Sequence, residues 1–510
     1  MDQSFEHIPA EKFEFANRDS VIHDQKLETK SRGFLADAFL RFKKNKSSVV
    51  AAIIIALLIL FAIVAPIISP YSIQDKDTIY KTFPPYVRWV AEKNLGILDG
   101  SVTFSSQSES QLSQIRAIGV ETGRDPLIAI LGTQTQEEIY RGQPRQVTYY
   151  KIKVNRYYSI GIRYLNLSYE DFEKIQQWQN ETGIQVIYPY VDPKDIMDIS
   201  DNANIWYQVS DKRGTPRLDA DGNYIPAYNT DASRTGAEYN SLRIAGDDGS
   251  YVYSRAKSGS VQCRVDYYSY YQYKNGTEPI FLFGTNSMGQ DLFCAIGIGA
   301  RFSLVFAILV SAINLTIGAF YGAVQGYYGG VVDMVMDRVT DVLSNVPFIV
   351  VATLFQLHLA AKVGIVPSFL FAFVLTGWIG MASLTRQQFY RFKGQEYVLA
   401  ARTLGASDRR LMFKHIFPNS LGTIVTSCVL VIPGVISSET TLTYLGIINL
   451  SEFAGTSIGT LMSQGQTSMT TSPHAMFFPA LFVSLLLICF NLFGNGLRDA
   501  FNPSTRGVED

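Results

Sequence analysis

The sequence has little of what a soluble enzyme or a nucleic-acid binder needs. Its net charge over 510 residues is −1, and without a basic surplus there is nothing to neutralise a phosphate backbone. Four cysteines, Cys263, Cys294, Cys428 and Cys489, lie far apart and form no disulfide framework or zinc spacing. The histidines His7, His23, His358, His415 and His474 are equally scattered, which argues against a histidine-rich metal site. No Gly-Lys pair occurs, so the chain lacks a phosphate-cradling loop and is not itself a P-loop ATPase. Asp219, Asp221 and Asn223 resemble the start of a calcium loop, but Gly222 falls too early for its glycine position and no Glu stands at the twelfth, so a turn is expected. Gly455-Thr456-Ser457-Ile458-Gly459 fits a hydrolase pattern, yet a polar loop precedes it where a strand is required, and no triad is assembled.

What is present is unevenly spread. Hydrophobic residues make up 47% of the chain, but they concentrate in windows almost free of charge, while 23 of 29 tyrosines fall between Tyr71 and Tyr273, where no such window exists. Membrane spans plus a polar module follow. Apolar windows run from Ser48 to Ile68, Phe302 to Tyr321, Val342 to Ala361, Ile365 to Leu384, Leu421 to Ile436 and Met476 to Phe493. Each is long enough, at roughly 20 residues, to cross a hydrocarbon core of about 30 Å, except that the fifth is shorter. The first reads as an uncleaved anchor, because a polar stretch precedes it and its apolar part is too long for a signal core.

Arg41, Lys43, Lys44 and Lys46 stand before the first window and the next basic residue is Lys76. The positive-inside rule therefore puts residues 1–47 in the cytoplasm and the module 70–280 outside. Six crossings return the tail 504–510 to the cytoplasm, together with the segment 386–419, where seven Lys or Arg face only Glu396 and Asp408. Gly318, Gly322 and Gly326 recur every fourth position, which places three small residues on one helix face for close packing. Intramembrane charge is scarce, with Glu439 and His358 the main candidates, and a proton- or ion-coupled carrier is expected to carry more.

The module is expected to be a β-rich domain with minor helix. Gln146 to Leu167 is rich in Tyr, Val and Ile, and Asp221-Gly222 and Asp248-Gly249 read as hairpin turns. Its tyrosines either pack within their own sheets or form a peptide-binding face.

The segment from Glu396 to Asn419 carries the functional signal. Glu396 to Leu404 is made largely of helix formers, Gly405 suits a left-handed stop, and Ser407 can cap a second helix running to Phe417. Ala400 and Ala401 keep the first helix slim, so two short helices meet at a tight corner suited to docking in a partner's groove.

This segment, E-Y-V-L-A-A-R-T-L-G-A-S followed by H-I-F-P-N, resembles the EAA loop of ABC-importer permeases, and in its form the OppC/DppC-type subunit of the dipeptide and oligopeptide permeases. Stretches similar to the same family follow in order: Gly284 to Asp291, Gly299 to Leu304, Gly326 to Gly330 with Asp333, Asp337, Arg338 and Asp341, then Tyr444-Leu445-Gly446 and Asn491 to Asp499. Where the family writes G-T-D-x-x-G-R-D, this chain has Asn286 and Gln290, so no role is carried over to those two side chains.

The resemblance implies an α-helical membrane protein with six transmembrane helices, a permease core over 284–503 and a β-rich extracellular insertion at 70–280 that typical members lack. It implies ATPase coupling through Glu396, Ala400, Ala401, Gly405, Ala406 and Ser407. The implied partners are a second permease, two cytoplasmic ATP-binding subunits holding ATP and magnesium, an extracellular substrate-binding protein and membrane lipid, with no nucleic acid. Peptides are the expected solute, with nickel or another small solute as the alternative, and this chain is expected to hold no cofactor and no catalytic site. Topology is open to direct test: with Ser258→Cys an impermeant thiol reagent is expected to label intact cells, and with Ser407→Cys it is expected not to. External labelling at position 407 overturns the orientation.

Overall fold

The computed structural model describes residues 34–93, 96–140, 143–191, 202–210, 214–227, 251–450 and 456–501. Asp248-Gly249, Gly455, residues 1–33 and the tail 504–510 lie outside the described residues. A short basic helix, α1 (Phe34–Lys44), leads into α2 (Lys46–Ile68). Asn45 caps α2, its side chain accepting from Ser48 N at 3.3 Å.

The insertion holds two small antiparallel sheets, each backed by a helix. After α3 (Arg88–Glu92), strands β1 (Ser101–Gln107), β2 (Leu127–Tyr140) and β3 (Gln143–Asn155) pair in the order β1-β3-β2. Helix α4 (Glu109–Thr122) buries Leu112 against Ile152 and Val154 of β3. In the second sheet, β4 (Ile162–Leu167), β5 (Ile187–Tyr188) and β6 (Ser254–Lys257) all pair with β7 (Ser260–Asp266), while α5 (Tyr169–Thr182) lays Phe172 and Ile175 on Val261, Cys263 and Val265. The run 146–167 is thus extended as expected, interrupted before Gly161, whose φ of +62° suits glycine.

Helix is a larger part of this region than its composition suggests. Ser108 and Gln111 form a reciprocal capping box at α4, Ser168 caps α5, and Gly123 and Gly183 end both helices in the left-handed conformation. Asp219 accepts from Asp221 N at 2.9 Å and Asn223 N at 2.8 Å, so its carboxylate serves a turn. The two halves are tied by a buried bidentate pair, Arg264 to Glu121 at 2.8 and 2.7 Å. Tyr80, Tyr157, Tyr190, Tyr207 and Tyr253 are fully buried and form core, which removes them from any peptide-binding face. Helix α6 (Tyr267–Asn275) closes the insertion, and its tyrosines pack with Tyr71, Tyr80, Phe83, Tyr86, Tyr157 and Phe281 into one aromatic cluster.

The bundle is built around α7 (Leu292–Tyr328), 37 residues long and so about 55 Å, well beyond the hydrocarbon thickness. It is followed by α8 (Gly330–Ser344), α9 (Phe348–His358), α10 (Ala360–Val363), α11 (Ile365–Gly377) and α12 (Ile379–Lys393). Next come α13 (Glu396–Thr403), α14 (Asp408–Arg410), α15 (Phe417–Tyr444), α16 (Ile458–Gln466) and α17 (His474–Phe501). Among the described residues five helical segments are long and apolar enough to cross a membrane, and α8 with α9 makes a sixth that is bent by 72°. The third window, read as one run from Val342 to Ala361, is therefore a broken element. Pro347 forces the preceding residue out of the helical region, and α9 starts afresh behind it.

Three close contacts fix α7 in the bundle. Pro66 in α2 has no N–H for the carbonyl of Ala62, and Arg301 of α7 donates to that oxygen through Nε at 2.6 Å. Gly297 lies flat against the ring of Pro66, where a Cβ would stand 2.7 Å from Cδ. Gly318, Gly322 and Gly326 all face α12, and a Cβ on Gly322 would sit 2.1 Å from the carbonyl oxygen of Ala382. Gly322→Ala is expected to destabilise the solubilised protein by about 1–3 kcal/mol through overpacking. Gly380→Ala, whose Cβ meets nothing within 4 Å, is expected to be neutral or stabilising by up to about 1 kcal/mol. Thermal unfolding of both variants in one detergent reads the contrast, and equal melting overturns the close-packing account.

Candidate functional site

The corner named in the sequence is built from α13 and α14. Gln395 stands before α13 and Glu396 occupies its first turn, where the macrodipole favours an acid. The helix ends in a complete Schellman motif. Ala406 N–H donates to the Ala401 carbonyl at 3.1 Å, Gly405 N–H donates to the Arg402 carbonyl at 3.0 Å, and Gly405 takes a φ of +83°. Ala401 and Ala406 are half-buried and pack on a cluster of Val398, Leu411, Met412, Ile416 and Phe389. Glu396, Ala400, Gly405 and Ser407 are exposed. The six residues thus divide into two that hold the corner together and four that face outward.

Two details differ from the sequence reading. Ser407 stands at the N-cap position with extended backbone, but its hydroxyl makes no capping bond, and its carbonyl accepts from Leu411 N at 2.9 Å. The second helix also does not stop at Phe417. It passes through a π-helical turn, Leu411–Ile416, into α15. Pro418 in the first turn of α15 has no N–H to give the preceding turn, and the wider turn absorbs the missing bond. The corner is consequently an extension of a membrane helix.

It is also tied to the neighbouring helices. Tyr327 at the end of α7 donates its hydroxyl to Asp408 Oδ1 at 2.5 Å, with the Arg402 guanidinium 6.0 Å from the same ring. The half-exposed Tyr397 hydroxyl accepts from Asn419 Nδ2 at 3.1 Å. Deeper in the bundle, Arg386 of α12 pairs with Asp333 of α8 at 2.7 Å, Tyr390 donates to the same carboxylate at 2.6 Å, and Lys393 donates to the Gly326 carbonyl at 2.9 Å. The bonds to Asp333 clasp α8, one arm of the broken span, to α12, and the Lys393 bond ties α12 to α7.

Leu404, which the sequence reading passed over as a helix former, is the tip of the corner. It is 89% exposed, the highest value among the large hydrophobic residues described. The available signal was its place directly before the left-handed glycine, where the helix has turned away from its own core. An apolar tip beside small residues is suited to a hydrophobic groove, and leaving it in water is unfavourable.

Two polar sites lie outside the corner. Glu439 is fully buried in α15, accepting from Ser303 of α7 at 2.8 Å and from Thr443 at 3.3 Å. Helix α16 closes over it, since a Cβ on Gly459 would stand 2.0 Å from Thr443 Oγ1. Ser457 uses its hydroxyl to cap α16, accepting from Thr460 N at 3.2 Å, which is a structural use of the serine that fitted the hydrolase pattern. Asn286 and Gln290, left without a role above, are buried and bonded to each other at 2.8 Å. Asn286 Oδ1 also accepts from the backbone of Met288 and Gln290, and Gln290 Nε2 reaches the Ile73 carbonyl, so together they fasten the insertion to the start of α7.

Comparison with known proteins agrees with this architecture. Residues 314–507 match the binding-protein-dependent transport system inner membrane component family, and residues 33–85 match the N-terminal transmembrane domain of oligopeptide transport permease C. The chain is 39% identical to the oligopeptide transport system permease protein OppC of Bacillus subtilis over 44% of its own length and 72% of the relative's. It belongs to the OppC/DppC permease family. The dipeptide transport system permease protein DppC of the same bacterium is 37% identical over 44% of this chain and 69% of the relative. A methionine ABC transporter structure, MetNI, aligns at 12% identity over 41% of this chain and 96% of that one, with a TM-score of 0.33. The permease is a multi-pass membrane protein, and most of its insertion lies between the two matched regions.

The tie between α7 and the permease corner can be measured. Tyr327→Phe removes a hydrogen bond to a carboxylate, and is expected to speed amide exchange over residues 398–411 by an amount equivalent to about 1 kcal/mol, at the low end because the pair is partly exposed. Asp408→Asn is expected to act in the same direction, and the double variant is expected to add little to either. Unchanged exchange overturns the anchoring role.

Proposed function

We propose that this permease is the membrane subunit of an ATP-driven importer that carries peptides, forming part of the solute path and coupling it to ATPases on the cytoplasmic side. The relatives it matches are oligopeptide and dipeptide transport permeases, and that supports the solute class. One observation carries the coupling: an outward-facing corner with Leu404 at its tip, continuous with α15 and bonded to α7. A rigid lever of this kind transmits a push on its tip into the bundle.

In this reading Glu396, Ala400, Leu404, Gly405 and Ser407 meet the ATPase, while Ala401 and Ala406 keep the lever stiff. The sequence has no Gly-Lys pair for a phosphate-cradling loop, and in this reading ATP and magnesium belong to two partner ATPases. A second permease completes the path, and a binding protein delivers solute to the outer face. Residues 1–47, the corner and the tail are cytoplasmic, and the insertion is extracellular. Alternating access is then a population shift, in which nucleotide favours one arrangement of the permease pair and the corner carries the bias.

Affinity purification of the tagged permease is expected to recover two ATP-binding subunits. Leu404→Asp places a charge at a desolvated contact, and is expected to abolish peptide uptake and weaken ATPase recovery while membrane insertion is unchanged. Gly405→Asp is expected to do the same, with added strain at its positive φ. Normal uptake in Leu404→Asp overturns the coupling role, and purification without any ATPase overturns the importer reading.

A further inference from the structure

Between α7, α9, α11 and α15 lies a cavity of about 390 Å³, a size within the range of about 300–1,000 Å³ that holds small ligands. Its wall sets the polar side chains of Asn314, Thr376 and Ser438 beside the rings of Phe348 and Phe373. Asn314 is 3% exposed, and its Oδ1 has no hydrogen-bond partner. Its amide lies directly against Gly377, where there is room for it only because a Cβ, which would stand 2.3 Å from Asn314 Nδ2, is missing. On the α15 side Gly434 faces open space, with nothing within 4 Å of where its Cβ would be. Pro433 beside it has no N–H, so the carbonyl of Val429 also lacks its helical donor.

Lipid chains in such a cavity leave the amide oxygen unsatisfied. An occupant that matches it offers N–H donors and apolar groups together. An extended peptide does both, with its main chain giving donors and its side chains entering the hollow. We infer that this cavity is a solute-contact site on the translocation path, where Asn314 accepts an N–H from the peptide main chain and the space over Gly434 admits a peptide side chain. The inference rests on the peptide-importer reading above and adds the residues that touch the solute. It also gives them separate tasks: Asn314 reads the backbone common to all peptides, and Gly434 sets the side-chain size that passes.

The test uses the complete importer, with its second permease, ATPases and binding protein, reconstituted in proteoliposomes. Uptake of radiolabelled trialanine and triphenylalanine is measured beside ATP hydrolysis. Gly434→Leu is expected to lower trialanine uptake about tenfold and triphenylalanine uptake further, as a filled pocket discriminates by size. Hydrolysis stimulated by the binding protein is expected to stay at the wild-type rate, so that more ATP is used per peptide. Gly434→Ala, whose added methyl meets open space, is expected to spare trialanine and impair triphenylalanine, a size dependence that a purely structural role does not produce. Asn314→Leu is expected to lower the uptake of both peptides in the same proportion.

Equal effects of Gly434→Ala on both peptides, or normal uptake in Gly434→Leu, overturn the inference while the importer reading stands. Loss of the second permease from the purified Gly434→Leu complex also overturns it, because the cavity is then covered by a neighbouring subunit. A wild-type importer that takes up neither peptide overturns the peptide reading itself, and this inference with it.

Discussion

Helix α7 can be approached closely only where it has no side chain, and the bundle is arranged around that constraint. Gly297 receives Pro66 of α2, Gly299 receives the backbone at Ser457, and Gly318, Gly322 and Gly326 receive the backbone of α12. In a bilayer the hydrophobic effect does not press helices together, so contact has to come from close fit and from polar groups that find each other. The glycines supply the fit. Arg301 on the Ala62 carbonyl and Ser303 on Glu439 supply the polar groups, both on the same helix. A helix that grips four neighbours in this way has little freedom to shift against one of them alone.

That arrangement sets the routes by which a push at the proposed coupling corner would enter the bundle. The corner meets the bundle through the Tyr327 hydroxyl at the end of α7 and through the continuous backbone into α15. Both helices already meet at Glu439, near the opposite end of α15. The lever is therefore held at two points along one helix pair. Regular helical hydrogen bonding is interrupted at two places along this path, the π-helical turn at Leu411–Ile416 and Pro433 within α15, and these are where bending meets the least resistance.

The sequence was most legible where one period or one residue type decides the outcome. Apolar windows located the spans, and Gly405 located the left-handed corner that the Schellman bonds complete. The break in the third span was not legible in a hydropathy window, which averages over Pro347, although a proline there restricts the residue before it. The insertion's helices were underweighted because Tyr, Val and Ile content was given more weight than the caps, and the Ser108–Gln111 box was available to correct it. Leu404 was missed for another reason: its exposure depends on how the Schellman turn aims it, and no period in the sequence encodes that. Asn286 and Gln290 were judged against a family pattern, while their bonds to each other and to residue 73 exist only once the insertion has folded back on α7.

Helix α15 shows how one span serves two polar tasks within hydrocarbon. Ser438 lines the cavity beside Phe373, while Glu439, next in sequence and turned about 100° around the helix, points into the bundle toward Ser303. Each orientation limits the other. Rotating α15 to bury Ser438 would swing the Glu439 carboxyl away from its hydroxyl partners, and a polar group stranded in lipid is strongly unfavourable. The Glu439 contacts thus fix the rotation of α15, and through it the face that Gly434 and Ser438 present to the cavity. A substitution at Glu439 is therefore expected to change the face presented to the cavity through this rotation, since that carboxyl does not itself line the cavity.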